Sequence, residues 1–216
     1  MAARIEDVAV VLRSYPLGEA DRILSLLTQD HGLIRAVAKG VRKPSSRFGS
    51  RLQPLNQVQV MLYQGRNLAT VSAVDSVQLF GSKLAPDYVR WSAGHVLAEA
   101  TERLVPEEME PARPQFRRFA SGLTALSDGR RDPRLVIDAF LLQSLATGGW
   151  APSFADCAQC GAPGPHPWIH LASGGAVCKD CRPTGAVSIS PMTAALLGAL
   201  LSADWPVAEA AGATAR

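Results

Sequence analysis

No run of apolar residues in this 216-residue sequence is long enough to cross a lipid bilayer. The longest one, 192–201, is far shorter than the roughly 20 residues that a membrane-spanning helix requires. The first twenty residues contain Glu6, Asp7 and Glu19, where a secretion signal would need an uninterrupted apolar segment. We therefore expect a soluble, cytoplasmic protein that does not bind membranes.

The sequence also lacks the motifs of several enzyme classes. It has no GxxxxGK[ST] phosphate loop, no Gly-x-Ser-x-Gly turn, and no His two positions before a Glu, as nucleobase deaminases have. The segment 18–21 contains Glu19 and Asp21, but Arg22 follows, and we favour an ion pair at the start of a strand over an acid/base pair. His95 lies in a predicted helix, where a packed imidazole is more common than a catalyst. We therefore expect no enzymatic activity.

Acidic residues are missing from one long segment. Residues 31–74 contain no Asp or Glu but seven basic residues: Arg35, Lys39, Arg42, Lys43, Arg47, Arg51 and Arg66. The excess is local, since residues 1–80 hold ten basic and six acidic residues and residues 81–216 hold twelve and thirteen. A field of one sign favours a polyanion as partner, whereas a loop kept polar for solubility usually mixes both signs. With Phe48 and Tyr63 nearby, the pattern predicts a surface that follows the phosphates of a single-stranded polynucleotide.

The first 80 residues contain five segments typical of short strands. They are 8–15, 22–28, 33–39, 57–63 and 68–77, with a predicted turn at Pro16-Leu17-Gly18. Five strands are too few for two packed sheets and too many for one exposed sheet. The pattern therefore predicts a small closed barrel of the OB type.

From residue 81 onward the pattern is helical. Helix starts are indicated at Pro86, Pro114, Asp132-Pro133 and Ser190-Pro191, each followed by apolar residues at helical spacing. We place a domain boundary near Gly81, so that an OB-fold domain of residues 1–80 precedes an all-α domain of residues 81–216. An insertion at 154–184 interrupts the helices. The expected fold class is α+β with more than one domain.

All four cysteines lie in that insertion. Cys157 and Cys160 form one CxxC pair, and seventeen residues separate it from the pair Cys178 and Cys181. This spacing is typical of a four-cysteine, zinc-ribbon-like Zn²⁺ site, and two disulfides are the weaker alternative without a secretion signal. Four thiolates leave no open position for a substrate, so we expect the zinc to be structural. His166 and His170 also lie in the insertion, and we favour a position outside the ligand set for both.

Several motifs resemble the N-terminal domain of the bacterial RecO family of recombination mediators. They are Gly18-Glu19-Ala20-Asp21, Leu27-Thr28 with Gly32, Val37-Ala38-Lys39-Gly40-Val41-Arg42, and Ser46-Arg47 leading to Leu52-Gln53-Pro54-Leu55. A helical second domain with a four-cysteine insertion is similar to the metal-bearing members of that family. The resemblance implies an OB-fold protein that binds single- and double-stranded DNA and anneals complementary strands. It also implies action with RecR, and often RecF, to load RecA onto DNA coated by single-stranded DNA-binding protein (SSB).

The resemblance supports residue roles as well. It implies phosphate contacts for Lys39, Arg42, Lys43, Arg47 and Arg51, zinc ligation by the four cysteines, and a nucleoid-associated protein. Family members contact the acidic SSB tail through the helical domain, and basic candidates here are Arg117, Arg118, Arg130 and Arg131. Family chains continue into further helix after the insertion, whereas this sequence ends soon after Trp205, so we expect a lost or divergent final helical layer.

Two other functions remain open at this point. In one, the protein is an interaction adaptor whose basic loop docks acidic partner surfaces without binding DNA directly. In the other, it is a zinc-dependent enzyme, which would lose activity but not its fold when the metal is removed.

Overall fold

The structure is a computed structural model that describes residues 3–46, 48–105 and 110–214. The backbone forms two compact units, residues 1–133 and residues 134–216. The fold class is α+β, as predicted, with a barrel first and helices after it. The domain boundary near Gly81 and the insertion limits 154–184 stay predictions.

The N-terminal strands form a closed barrel. They are β1 (Arg4–Leu17), β2 (Asp21–Thr28), β3 (Gly32–Ala38), β4 (Gln57–Tyr63) and β5 (Ala69–Gln78). Their order is β1-β2-β3-β5-β4, with β4 paired back to β1 and with β3 and β5 parallel. This confirms the predicted OB-like barrel. The predicted turn at 16–18 was two residues early, because Pro16 and Leu17 still pair with Arg22 and Asp21.

A β-bulge in β1 decides which of its side chains face outward. Ala9 and Val11 belong to the barrel core, but the pairing with β2 shifts between Val11 and Arg13. The extra residue reverses the alternation that a regular strand would continue. As a result Arg13 and Tyr15 lie on the outer wall, where they pair with Ser25 and Ile23 of β2.

Three helices follow the barrel within the first unit: α1 (Phe80–Leu84), α2 (Tyr88–Leu104) and α3 (Arg113–Asp128). The helix predicted from Pro86 begins two residues later, because the side chain of Asp87 accepts hydrogen bonds from the backbone N–H groups of Val89 and Arg90. Helix α2 packs against β1, and its His95 packs edge-on against Trp91 with ring centroids 4.6 Å apart. Burial lowers the pKa of His95, which favours the neutral imidazole.

The second unit combines helices with a small sheet. Its elements are α4 (Pro133–Thr147), β6 (Trp168–His170), β7 (Gly175–Val177), β8 (Val187–Ser188), α5 (Pro191–Ser202) and α6 (Trp205–Thr214). The strands pair in the order β7-β6-β8, and the Ser190 side chain caps α5 by accepting from the N–H of Thr193. The helix α6, which the sequence did not predict, packs on α5. Within the described ranges, none of the helices has the length and apolar character needed to span a membrane.

Candidate nucleic-acid interface and four-thiol centre

The β3–β4 loop, residues 39–56, is anchored by apolar residues that point into the barrel. Phe48 is 6% exposed and Leu52 is 3% exposed, and both belong to the barrel core. The interpretation of Phe48 as an aromatic on the binding surface was therefore wrong, because the small barrel takes this ring into its core. Tyr63 of β4 is exposed, as expected.

One buried amide holds the second half of this loop. The Asn56 side chain donates hydrogen bonds to the carbonyl oxygens of Ser50 and Arg51, and its Oδ1 accepts from the N–H of Gly81 at 3.0 Å. Asn56 itself is fully buried. The loop is therefore fixed from inside, whereas its described cations, Lys39, Arg42, Lys43 and Arg51, are exposed.

The first half of the loop is tied to the turn between β1 and β2. Gly40, at φ +67°, donates its N–H to Asp21 Oδ1 at 2.7 Å. Arg42 donates its backbone N–H to the Ala20 oxygen and its Nη1 to the Gly18 oxygen. The ion pair expected between Asp21 and its neighbour Arg22 is not formed, because the Arg22 guanidinium donates to Ser14 instead.

In the part of the chain that the structure describes, most of the predicted DNA-contacting cations are exposed and have no acidic partner. Arg47 lies outside the described residues, and the other six of the seven are exposed. Among the described residues no carboxylate lies within 4.0 Å of five of them: Arg35, Lys39, Arg42, Lys43 and Arg66. Arg51 contacts the Val74 carbonyl. Arg13, Arg90 and Arg113, by contrast, are each paired with a carboxylate.

The unpaired cations form two groups on the barrel. Lys39, Arg42 and Lys43 lie together at the start of the β3–β4 loop, beside the β1–β2 turn. Arg35 and Arg66 border a cleft of about 150 Å³. Arg35 lies on the outer face of β3, and Lys39 directly follows the end of that strand, at most about 13 Å further along the chain, so the two cations connect the two groups.

The four arginines proposed for the SSB tail lie on α3 and in the segment that follows it. Arg117 and Arg130 are exposed, and Arg130 pairs with Asp128 at 3.6 Å. Arg118 is half-buried, and burial lowers the pKa of its guanidinium. Their role stays a prediction.

The four cysteine sulfurs form a compact cluster. The Sγ atoms of Cys157, Cys160, Cys178 and Cys181 all lie within 4.8 Å of one another, so the cluster could hold a metal ion. The Cys160 and Cys178 sulfurs are 3.8 Å apart. Two thiolates bound to one tetrahedral Zn²⁺ at about 2.3 Å would be separated by roughly the same distance, about 3.8 Å. The described geometry therefore fits a four-thiolate site.

The surroundings favour the thiolate at Cys157 and oppose it at Cys160 and Cys181, whose thiol pKa values are raised. Backbone hydrogen bonds from Cys160 and Cys178 lower the pKa of the Cys157 thiol to about 6. Hydrogen bonds with the Cys160 and Cys178 thiols raise the pKa of Cys181 to about 12. Four adjacent sulfurs cannot all lose their protons unless a cation compensates the charge, which is the chemistry of a metal site.

The two histidines of this region have partners outside the cluster. His166 Nε2 is 2.9 Å from the Ala162 carbonyl, and His170 Nδ1 is 2.7 Å from Ser173 Oγ. Both therefore occupy the positions expected of residues that are not ligands.

A closed OB-like barrel, a helical region and a four-thiol cluster define an α+β protein with a candidate metal site, and barrels of the OB type commonly bind oligonucleotides or oligosaccharides. The family model for the recombination protein O N terminal matches residues 1–80, and the model for its C terminal matches residues 85–215. The chain therefore belongs to the RecO family of DNA repair proteins.

Two relatives show the same relationship over nearly the whole chain. A DNA repair protein RecO from Thermobifida fusca is 49% identical over 204 residues, which is 94% of this chain and 84% of the relative. A DNA repair protein RecO from a Nocardioides species is 49% identical over 210 residues, which is 96% of this chain and 86% of the relative.

Proposed function

We propose that the protein is a recombination mediator that binds single- and double-stranded DNA and anneals complementary strands. With RecR, and with RecF where it takes part, it helps to load RecA onto DNA coated by SSB. The observation that carries the proposal is a set of five exposed cations that have no acidic partner among the described residues, on an OB-like barrel of a RecO family member. It would act in the bacterial cytoplasm, at the nucleoid.

The mechanism is electrostatic, and no covalent bond is made or broken. Two strands can pair only if their phosphates approach each other. Guanidinium and ammonium groups lower that repulsion and release condensed counterions when they bind. Because Phe48, Leu52 and Asn56 hold the β3–β4 loop from inside, its cations are presented without the cost of ordering a mobile loop. The protein would therefore act as a scaffold and not as an enzyme.

The four cysteines would hold a structural Zn²⁺ ion. The three-stranded sheet beside them is short, and its buried apolar residues are small, with Ala176 and Val177 as examples. Such a region cannot gain much stability from hydrophobic burial, so the metal would supply it. All four positions of a tetrahedral ion are taken by sulfur, which leaves none for a substrate.

Annealing of two complementary oligonucleotides by the purified protein tests the proposal. We expect wild type to accelerate annealing at low salt, and the triple variant Lys39→Ala, Arg42→Ala, Lys43→Ala to lose most of this acceleration. The matched control removes the same charge elsewhere, with Arg4→Ala, Lys83→Ala and Arg103→Ala. A wild type that neither binds nor anneals oligonucleotides but retains acidic partner proteins would favour the adaptor function instead.

A further inference from the structure

The bulge in β1 builds two side-chain rows on the outer wall of the barrel. One row is polar and runs across the strands from Arg13 through Ser25 to Arg35. The next is apolar and runs from Tyr15 through Ile23 to Val37. Neighbours within each row are about 5 Å apart, and the rows are separated by about 7 Å along the strands.

These rows border a pocket of about 460 Å³ between the barrel wall and α2. It is lined by Tyr15, Ile23, Ser25, Leu33, Arg35 and Glu102. The volume is within the range of small-molecule sites. Tyr15 is 48% exposed, so about half of this ring-bearing side chain is open to solvent. The pocket is therefore lined by an aromatic side chain that a ligand can reach.

Glu102 brings a fixed hydrogen-bond acceptor to this pocket. Its Oε2 accepts from Arg13 Nε at 2.5 Å, and the carboxylate side chain is 24% exposed. Its other oxygen, Oε1, has no hydrogen-bond partner among the described residues. Arg13 thus holds the carboxylate through Oε2, and Oε1 keeps its capacity to accept a hydrogen bond.

The pocket is lined by charges of opposite sign, with Arg35 on β3 and Glu102 on α2. Arg35, which has no acidic partner in the described chain, lines one side of the pocket, and Lys39 follows the end of β3. A phosphate is attracted to this side and repelled by Glu102, whereas the amino group of a base is attracted to Glu102. A single strand would therefore place its backbone along β3 and turn its bases towards α2.

We propose that this pocket holds an unpaired base of single-stranded DNA, stacked on Tyr15, and that Glu102 Oε1 accepts a hydrogen bond from its exocyclic amino group. The inference rests on the proposed function and adds to it a contact with bases. It predicts that the protein prefers cytosine or adenine to thymine at this position, because thymine has no exocyclic amino group. It also predicts that duplex DNA, whose bases are stacked, does not use the pocket.

Fluorescence anisotropy at fixed salt tests the contact, with oligo(dC), oligo(dT) and a duplex as ligands. Tyr15→Ala should weaken oligo(dC) binding by roughly fivefold or more and leave duplex binding unchanged, and Tyr15→Phe should keep most of the affinity. Tyr88→Ala, which removes an 82% exposed ring elsewhere, is the matched control and should have no effect.

Glu102→Gln should reduce the preference for oligo(dC) over oligo(dT) severalfold. Glu99→Gln also removes a carboxylate near Arg13, but one that does not line this pocket, and should leave the preference unchanged.

Wild-type protein provides a measurement that does not depend on any variant folding. A single-stranded oligonucleotide substituted with 5-iodocytosine, which keeps the exocyclic amino group that Glu102 would contact, should cross-link on irradiation within the peptide that contains Tyr15. The inference is overturned if wild type binds single strands but cross-links only elsewhere, or if Tyr15→Ala melts like wild type and binds oligo(dC) equally well. Failure of wild type to bind any single strand would instead overturn the proposed function.

Discussion

Removal of the three unpaired cations at the start of the β3–β4 loop should change the salt dependence of DNA binding by a calculable amount. For single strands, log Kobs falls with log[salt] at a slope of about −0.7 for each phosphate contacted. If each of the five unpaired cations contacts one phosphate, the wild-type slope is about −3.5 or steeper. The variant Lys39→Ala, Arg42→Ala, Lys43→Ala should then have a slope that is smaller by about 2.

The difference is large enough to measure between 50 and 200 mM salt. Over that range wild type should lose roughly twentyfold more affinity than the triple variant. Anisotropy titrations with one labelled single strand at four salt concentrations give both slopes. The variant Arg4→Ala, Lys83→Ala, Arg103→Ala changes net charge equally, but two of its cations already have carboxylate partners. An unchanged slope in the first variant, or an equal change in the second, would refute a local phosphate-binding role for the loop.

Three further predictions concern stability and metal. Asn56→Ala should lower the free energy of unfolding by about 3 kcal/mol in urea titrations, because it leaves the buried N–H of Gly81 without a partner. Asn67→Ala, at an exposed position, is the control and should change the free energy of unfolding by less than about 0.5 kcal/mol. Phe48→Ala should cost about 3 to 5 kcal/mol by the same measurement, since it opens a cavity in the barrel core, and a near-zero cost would place the ring on the surface after all. Purified protein should contain one zinc per chain by elemental analysis. Removal of the metal with a chelator, or the variant Cys160→Ser, should raise the rate of hydrogen exchange around β6 to β8 and leave the barrel protected. Equal protection with and without metal would contradict a structural role.

The sequence predicted the barrel, the positions of most strands and helices, and the cysteine cluster, because each depends on local spacing. Alternation of apolar residues indicates a strand wherever it occurs, and CxxC pairs bring two thiols to one turn in any fold. Short elements without strong end signals, such as α1 and α6, were not predicted. The prediction that Phe48 lies on the binding surface was wrong for a different reason. The sequence of a basic loop does not indicate whether an aromatic ring in it points into the core or towards solvent.

Charge in a sequence and charge available to a ligand are also different quantities. Arg13 and Arg35 are both arginines on the outer wall of the barrel, and they share the same cross-strand row. Arg13 is neutralised by Glu102 and Glu99, which are far away in the sequence but adjacent across the packing of α2 on β1. Arg35 has no such partner in the described structure. Only the tertiary packing separates an arginine that supports the fold from one that is free to bind phosphate.

The bulge between Val11 and Arg13 determines which face of the barrel wall the following side chains of β1 occupy. A regular β1 would turn Arg13 and Tyr15 into the core, where an unpaired charged group costs several kcal/mol. With the extra residue, Leu12 is buried and the two following outward positions receive a cation and a ring. The strand then closes the barrel with one half and builds a candidate base-binding wall with the other. Periodicity averaged over the strand hides such a change of face, so the pocket on the outer wall could be found only once the pairing of β1 with β2 was known.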